Sequence, residues 1–536
     1  MRADVVLRNG RIVTMADDTP AASAIAIRGD RILAVGSDGD LLRTAHDDTR
    51  VIDLGGRTVV PGLIDAHTHL ELAAYARHRW TDVRGLSRAE VLGQVREKVA
   101  GSAPGTWIVM QGTFGQDFPD RAELDKTAPD NPVAVRWTMH KFQLNSCALE
   151  LAGIDRTTVA PPGVRIHHGA GGHPTGLIEE GWDLLNWPSP MGDALADEIA
   201  ETARELFLQH GVTTIHDIAA SAAGVGAYTR LAGSPAVLPR IGLAFTAEPG
   251  HQPLIRTPEF VRTGLRTGFG GPMLRLSAIK IFVDGGRDGA FRSTGLGSRG
   301  DQWGLPTRTP QGLAREITAA VAAGTQVWVH AIGDLAQEMT ISAIEQAVRA
   351  NPGVDHRTRI EHFGNEIYDA RSLQRLVRCG GIPAPNPSFL YAEPDDPDRR
   401  IPPGVQKYGL RTLLEAGTRP PGNSDTAGAQ PRACNPWFTM QRMVERRNQH
   451  GTEIDAGQRI SVAEALRSFT VDAAVATFLE HDRGSLVPGK LADLAVLNKD
   501  PFSVRESELE SVTSVLTVVG GRADGGELWN DELART

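Results

Sequence analysis

Apolar residues recur along the chain in two textures. At both ends they form short Val- and Ile-rich runs broken by glycine turns. Asp4 to Thr14, Ala24 to Gly36 and Arg50 to Leu54 open the chain, punctuated by Asn9-Gly10, Arg28-Gly29-Asp30 and Gly55-Gly56. Leu491 to Leu497 and Val512 to Val519 close it. Such runs predict short strands joined by turns. Neither end buries enough apolar surface to stand alone. The two ends are therefore expected to complete one small composite β-domain, a β-sandwich of residues 1–57 with 485–536. The competing expectation is two independent edge appendages.

Between the ends, near-continuous apolar runs alternate with segments of helical spacing. The runs are Val60 to Ala66, Gly211 to Ile218, Val237 to Thr246, Leu276 to Val283, Thr325 to His330 and Arg357 to His362. They predict buried parallel strands of an α/β fold. Helical periodicity covers Gln311 to Ala323 and Leu335 to Val348. Adding Gly380 to Pro385 and Thr418 to Asn423 gives the strand count of a (β/α)8 TIM-like barrel over residues 58–484. About 145 residues separate the first two strands, too many for an ordinary βα connection. The stretch of roughly 80–205 is therefore an expected insertion, with strands of its own at Trp107 to Gln111 and Pro132 to Thr138.

Charge and cysteine content narrow the class. The 536 residues carry a net charge of −9, which removes the basic footprint of a nucleic-acid or anionic-membrane binder. No run approaches the roughly 18 apolar residues of a membrane helix. The N-terminus is interrupted by charge too early for a signal-peptide core. Cys147, Cys379 and Cys434 form no CxxC pair, so neither a disulfide scaffold nor a thiolate zinc site organises the chain. A reducing cytoplasm is the expected setting. The expected partner is a small-molecule substrate. Oligomeric state is left open, a homodimer included.

The strongest chemical signal is Asp65-Ala66-His67-Thr68-His69, at the end of the first predicted barrel strand. Residues i and i+2 of a strand share a face, so His67 and His69 present two imidazoles together. Imidazole is the commonest ligand for zinc and similar metals. Other polar residues fall at the ends of later strands. Lys280 lies in the fourth, His330 ends the fifth, His362 ends the sixth, and Asp425 follows the eighth. A barrel brings its strand C-termini to one rim, where these six would converge. A lysine inside an apolar strand is costly to bury. A CO2-derived carbamate on Lys280 would turn it into an anion able to bridge two cations.

With these segments the chain resembles the amidohydrolase superfamily, and within it the YtcJ-like branch that includes N-substituted formamide deformylases. The matching segments begin with Val60 to His69 and Gly211 to Asp217, and continue with Lys280 to Gly285 and His330 to Asp334. Arg359 to His362 and Pro488 to Leu494 complete them. The resemblance covers nearly the whole chain and implies a barrel with a composite β-sandwich. It implies that His67, His69 and Asp425 hold a buried metal. It also implies that carboxylated Lys280 bridges to a second metal on His330 and His362. Zinc is the first expectation, with iron or manganese as alternatives. A hydroxide between the cations would be the nucleophile, and Asp425 would accept its proton and pass it to the leaving amine. His140, in Thr138-Met139-His140, matches a histidine placed near substrate.

The chain departs from the family pattern in its last strands, Ile382-Pro383-Ala384-Pro385 and Arg419-Pro420-Pro421-Gly422. Proline cannot donate to a ladder, so that side of the barrel is expected to be short or bulged. Arg287 and Asp288 are candidates for the pocket or for a surface ion pair. His216 is read as pocket wall, with a supporting role behind the ligands as the alternative. His167, His168 and His173 are read as solvated residues of a glycine-rich loop, Gly163 to Gly176. Trp107, Phe114, Trp137, Phe142, Phe291, Trp303 and Trp437 are candidates for an apolar pocket or for the core. The leading functional expectation is a binuclear metal-dependent hydrolase of a C–N bond, amide or formamide, in a fairly apolar organic molecule. The alternatives are a non-heme di-iron oxygenase in the same cage and a non-catalytic binding protein on the same scaffold.

Overall fold

The computed structural model describes residues 2–19, 21–113, 116–185, 193–247, 254–293, 303–395, 404–426, 431–523 and 529. Its centre is a curled sheet of seven parallel strands that neighbour one another in chain order. They are β1 (Leu63–Thr68), β2 (Val212–Ala219), β3 (Arg240–Thr246), β4 (Leu274–Phe282), β5 (Gln326–His330), β6 (Arg359–Glu361) and β7 (Ile382–Ala384). Nearly every residue of these strands is buried, as continuous apolar runs require when both faces of a sheet are covered.

Helices cover the outer face. Pro310–Ala322 starts at Thr309, whose side chain accepts from Gly312 N, with proline at the first helical position. Leu313, Ile317, Ala320 and Val321 form its buried stripe, packed with Ile341, Ile344 and Ala347 of Asp334–Ala350.

The sequence pattern predicts an eighth strand at 418–423, and no strand forms there. Pro420 and Pro421 have no N–H to give to a ladder. The segment is nonetheless held on both sides. Ala66 N donates to Gly422 O at 3.1 Å and Asp425 N to His67 O at 2.9 Å, against β1. Asn423 Nδ2 donates to Pro385 O at 2.8 Å, beside the end of β7. Gly422 permits this approach, because a Cβ there would lie 2.4 Å from the Phe469 ring. The expected eight ladder strands are thus seven plus an irregular eighth segment. β6 and β7 have only three residues each, the short side that the prolines foreshadow.

Strands from both ends of the chain share one six-stranded sheet. Its order is Arg522–Ala523, Ser514–Val519, Leu494–Leu497, Thr58–Pro61, Arg11–Val13 and Ala21–Ala22. A four-stranded sheet contains Val5–Arg8, Ala24–Arg28, Arg31–Gly36 and Arg50–Asp53. Leu7, Ile25, Ile52, Leu486, Val496 and Val518 meet in one apolar cluster between the two. Thr58–Pro61 runs through Gly62 directly into β1, so the terminal sheets anchor the strand that carries His67.

Between β1 and β2 stands a third, six-stranded sheet. Its order is Arg165–His168, Pro174–Glu179, Lys141–Leu144, Val133–Arg136, Ile108–Gln111 and Thr81–Asp82. The glycine-rich stretch read as a loop is instead a β-hairpin within it. Gly171 and Gly172, with φ of 83° and 76°, make its turn. His167 Nε2 pairs with Glu179 Oε1 at 3.0 Å across that hairpin, which corrects its reading as a solvated loop residue. Among the described residues, no helix is long and apolar enough to cross a membrane.

Candidate metal centre

β1 delivers His67 from inside the ladder. His69 follows at the N-terminal boundary of helix Leu70–His78. Asp425 reaches the same place from the irregular segment. One ligand atom from each of the three lies within 4.8 Å of the others. Asp425 Oδ1 is 3.4 Å from His67 Nε2 and 3.2 Å from His69 Nε2.

His67 is oriented from behind. Its Nδ1–H donates to Glu361 Oε2 at 2.5 Å, which leaves Nε2 as the acceptor facing Asp425. Glu361 is gripped in turn by Arg359, whose Nε and Nη2 donate to its two oxygens at 2.8 Å each. Arg359 lies over the Trp328 indole, 4.1 Å from the ring centre.

A second set adjoins the first. The His330 and His362 rings are 4.5 Å apart, and His362 is 5.7 Å from His67. His362 Nδ1–H donates to Asn386 Oδ1 at 2.6 Å, freeing its Nε2. His330 Nε2–H donates to Gly285 O at 3.1 Å, freeing its Nδ1. Lys280, from the middle of the same wall, is fully buried and its Nζ has no hydrogen-bond partner.

Burial sets the charge state. It pulls the His67 imidazole down to about 4 and His362 down to about 3, with Lys280 adding to the effect in both. His330 is held well below its ordinary range by burial and by His362. These rings are therefore neutral at neutral pH, the form that coordinates metal. Burial also lowers the Lys280 ammonium to about 8, against the opposing pull of Glu361 and Asp425. Burial resists ionisation of Asp425, yet the imidazoles of His67 and His69 outweigh it and hold the carboxyl well below its usual range. Two imidazoles and a carboxylate, converging within one coordination sphere, fit a divalent cation of the zinc, iron or manganese type. The orphaned Lys280 Nζ adds an unmet polar position beside them.

His140 faces this group without belonging to the three-ligand set, its ring 5.8 Å from His330. Its Nδ1–H donates to Glu180 Oε2 at 2.8 Å. Burial disfavours the imidazolium, but Glu180 more than offsets it and raises the pKa. Glu180 also accepts from Gly286 N at 2.7 Å, joining the insertion to the loop after β4. Asp284 ties that loop to the next, accepting from Phe291 N, Ile332 N and Gly333 N at 2.9, 3.1 and 2.8 Å.

The structure decides between other expectations. His216 is no pocket wall: it is fully buried, bonded to Ser277 Oγ at 3.1 Å and set edge-on to Trp328. Arg287 pairs with buried Glu393 at 3.0 Å, and Asp288 accepts from Lys141. Phe142 and Trp437 are core residues, Trp137 packs on Phe118, and Trp303 is 59% exposed. Phe114 lies outside the described residues. The apolar pocket beside His69 is lined instead by Leu72, Met139, Trp182, Ile218 and Phe282.

The comparisons with known proteins agree with this geometry. The amidohydrolase family model matches residues 50–523. The chain belongs to the amidohydrolase family. It is 30% identical to Protein LONG AFTER FAR-RED 3 of Arabidopsis thaliana over 97% of this chain and 91% of that one. It is 28% identical to an N-substituted formamide deformylase of Arthrobacter pascens over 97% of each chain. It is 27% identical to the putative amidohydrolase YtcJ of Bacillus subtilis (strain 168) over 96% of this chain and 98% of that one. The resemblance read from the motifs is thereby shown. The fold matches that of an uncharacterized metal-dependent hydrolase from Pyrococcus horikoshii OT3, with a TM-score of 0.73 and 22% identity. That match covers 94% of this chain and 99% of the other.

Residue-by-residue reading missed Arg359, Glu361, Asn386 and Glu180. For the first two a signal existed: opposite charges at i and i+2 in an otherwise apolar strand sit on one face and pair. Glu180 is 40 positions from His140 and has no local signature.

Two outcomes are expected. Replacing Glu361 with Gln should weaken metal retention by about 10- to 100-fold, because the support that orients His67 is lost. Metal content after graded chelator treatment measures this; retention equal to the parent would show that His67 needs no such support. The second concerns pH. In chelator-treated protein the unfolded chain gains protons on His67 and His362 near pH 6.5, whereas the folded chain gains them near 4 and 3. At these two residues the unfolded state thus binds more protons in that window, and their contribution to stability falls as pH drops from about 6.5 towards 4. Buried Asp65 and Asp284, raised to about 7 by desolvation, act in the opposite sense. Denaturant midpoints at pH 7 and pH 5 are therefore compared between the parent and His362→Gln. The parent should lose more on going to pH 5, and an equal or smaller loss would contradict the sign.

Proposed function

We propose that the chain hydrolyses a C–N bond of an amide or formamide using two divalent cations, zinc in the first place. His67, His69 and Asp425 would hold one cation, and His330 and His362 the other. Lys280, carboxylated by CO2, would bridge them. The observation that carries this reading is the fully buried Nζ of Lys280, which has no hydrogen-bond partner and lies close enough to His67, His330 and His362 to lower the pKa of all three. The similarity to a formamide deformylase points to the same bond class.

Bound cations supply Lewis acidity, which lowers the pKa of water and polarises a carbonyl. The chain's own residues do the remainder. Asp425 is anionic and sits at the meeting point of the His67 and His69 nitrogens, so it takes the proton of the attacking water and returns it to the leaving amine. His140, steadied by Glu180 on Nδ1 and with its ring 5.8 Å from that of His330, would donate to substrate oxygen. The pocket of Leu72, Met139, Trp182, Ile218 and Phe282 holds the apolar part of the substrate and keeps bulk water away. No observation favours the di-iron oxygenase reading. A cytoplasmic setting accords with three cysteines that form no disulfide.

A panel of N-substituted formamides, given to zinc-loaded protein under strict anaerobic conditions, tests the reaction class. Turnover should proceed, with product oxygen drawn from labelled water. A requirement for iron, reductant and dioxygen would overturn the hydrolytic reading. Asp425→Asn should lower kcat by about 10²-fold or more, because an amide cannot accept the proton. Unchanged kcat at equal metal content would remove Asp425 from proton transfer.

A further inference from the structure

One buried charge next to the pocket is explained by none of this. Arg136 ends the inserted strand Val133–Arg136 and is fully buried. Its Nε–H donates to Thr138 O at 2.7 Å, which tucks the guanidinium under the turn that carries Met139 and His140. Its Nη1 and Nη2 have no hydrogen-bond partner. No ion pair to it occurs among the described residues, and burial pulls its pKa down to about 9. The indoles of Trp80 and Trp182 flank it, with Cζ 4.2 and 4.9 Å from their ring centres. Gln111, its partner in the parallel ladder, donates through Nε2 to Gly112 O and keeps a buried, unpartnered Oε1. Trp182 and Met139 also line the pocket that contains His69.

A guanidinium kept only for structure looks different in this protein. Arg446 is as deeply buried, and its Nε, Nη1 and Nη2 donate to Ile454 O, Tyr408 O and Lys407 O at 3.0, 3.0 and 2.9 Å. Arg136 has aromatic faces beside it, which soften the cost of burial but cannot accept its in-plane N–H groups. An unpaired buried cation with two free coplanar donors matches a planar anion, and a carboxylate fits bidentately.

We propose that Arg136, with Gln111 beside it, forms a carboxylate-binding subsite of the substrate pocket. The amide cleaved here carries a carboxylate that enters between Trp182 and Met139 and meets the free edge of the guanidinium. Gln111 Oε1 accepts from an N–H or O–H donor on the same ligand. This deepens the amide-hydrolase reading and rests on it for the identity of the pocket. The test needs no turnover, so the two readings fail separately.

The probes are 3-phenylpropionate and its neutral isostere 3-phenylpropanamide, with binding followed by calorimetry and by tryptophan fluorescence. Both the metal-loaded and the chelator-treated full chain are used, because a carboxylate can also bind metal. The carboxylate is expected to bind about tenfold or more tightly than the amide in both forms. Arg136→Gln should abolish the preference. Gln111→Glu should abolish it too, by placing an internal carboxylate against the guanidinium, while the thermal midpoint holds or rises. That variant decides the matter if Arg136→Gln fails to fold. A preference that vanishes on metal removal, or survives in Gln111→Glu, would overturn the proposal, as would equal binding of the two probes.

Discussion

The fully buried carboxylate of Glu361 is the point on which the metal centre depends. It accepts two hydrogen bonds from Arg359 and one from His67, and so links β6 to β1 across the interior of the sheet. A charge so deep is tolerable only when hydrogen bonded and paired. Burial opposes its ionisation, but Arg359 and His67 prevail and hold its pKa far below the usual value. The consequence for chemistry is directional. Because Glu361 accepts the hydrogen bond of the His67 Nδ1–H, the Nε2 lone pair has one place to point, towards Asp425. Removing Glu361 would leave both His67 and the buried Arg359 without their partner.

Strain gathers at the same centre. His362 and Asp425 are non-glycine residues with φ of 72° and 48°. Each such conformation costs about 1–3 kcal/mol and persists only when the surroundings over-determine it. Here they do. His362 N donates to Ala384 O at 2.8 Å and Asp425 N to His67 O at 2.9 Å. A chain of amides closes the gap between them: Asn386 accepts from His362 and donates to Asn423 Oδ1 at 2.6 Å, and Asn423 donates to Pro385 O. The prolines that interrupt the eighth segment therefore have a use. A regular strand would alternate its side chains by pleat, whereas the irregular segment is free to turn Asp425 onto the two histidines.

What could be read in advance followed from physics that is local in sequence. Runs such as Ala278-Ile279-Lys280-Ile281-Phe282 mark strands buried on both faces, and β1 to β6 lie where such runs fall. Lys280 stood out because a cation in that setting has no cheap explanation. The remainder depends on partners that no window of sequence contains. Glu361 meets His67 across 294 positions, and Glu180 meets His140 across 40. The hairpin at Arg165–His168 and Pro174–Glu179 was hidden by its own turn glycines, which look like a loop until a partner strand is present. The irregular eighth segment was half legible. Pro420 and Pro421 ruled out a good ladder, but only the contacts of Asn423 and Asp425 reveal how its place is filled without one.

The charge of Lys280 limits what the centre can hold. As an ammonium it would place a positive charge close to both sets of ligands, repelling the cations they are suited to bind. Burial works against that form and brings the pKa to about 8, so about a tenth of the side chain is a free amine at pH 7, far more than at the ordinary lysine value. A free amine is the form that attacks CO2: its lone pair makes the new C–N bond and one proton is released. The carbamate carries two oxygens and a negative charge, which in the proposed reading meets a cation on either side. A lysine that kept its ordinary pKa would remain protonated and inert to CO2. Phe282, on the same face of the strand and with its ring centre 5.0 Å from Nζ, is therefore part of the chemistry, because the desolvation that makes this lysine costly to bury is also what readies it to react.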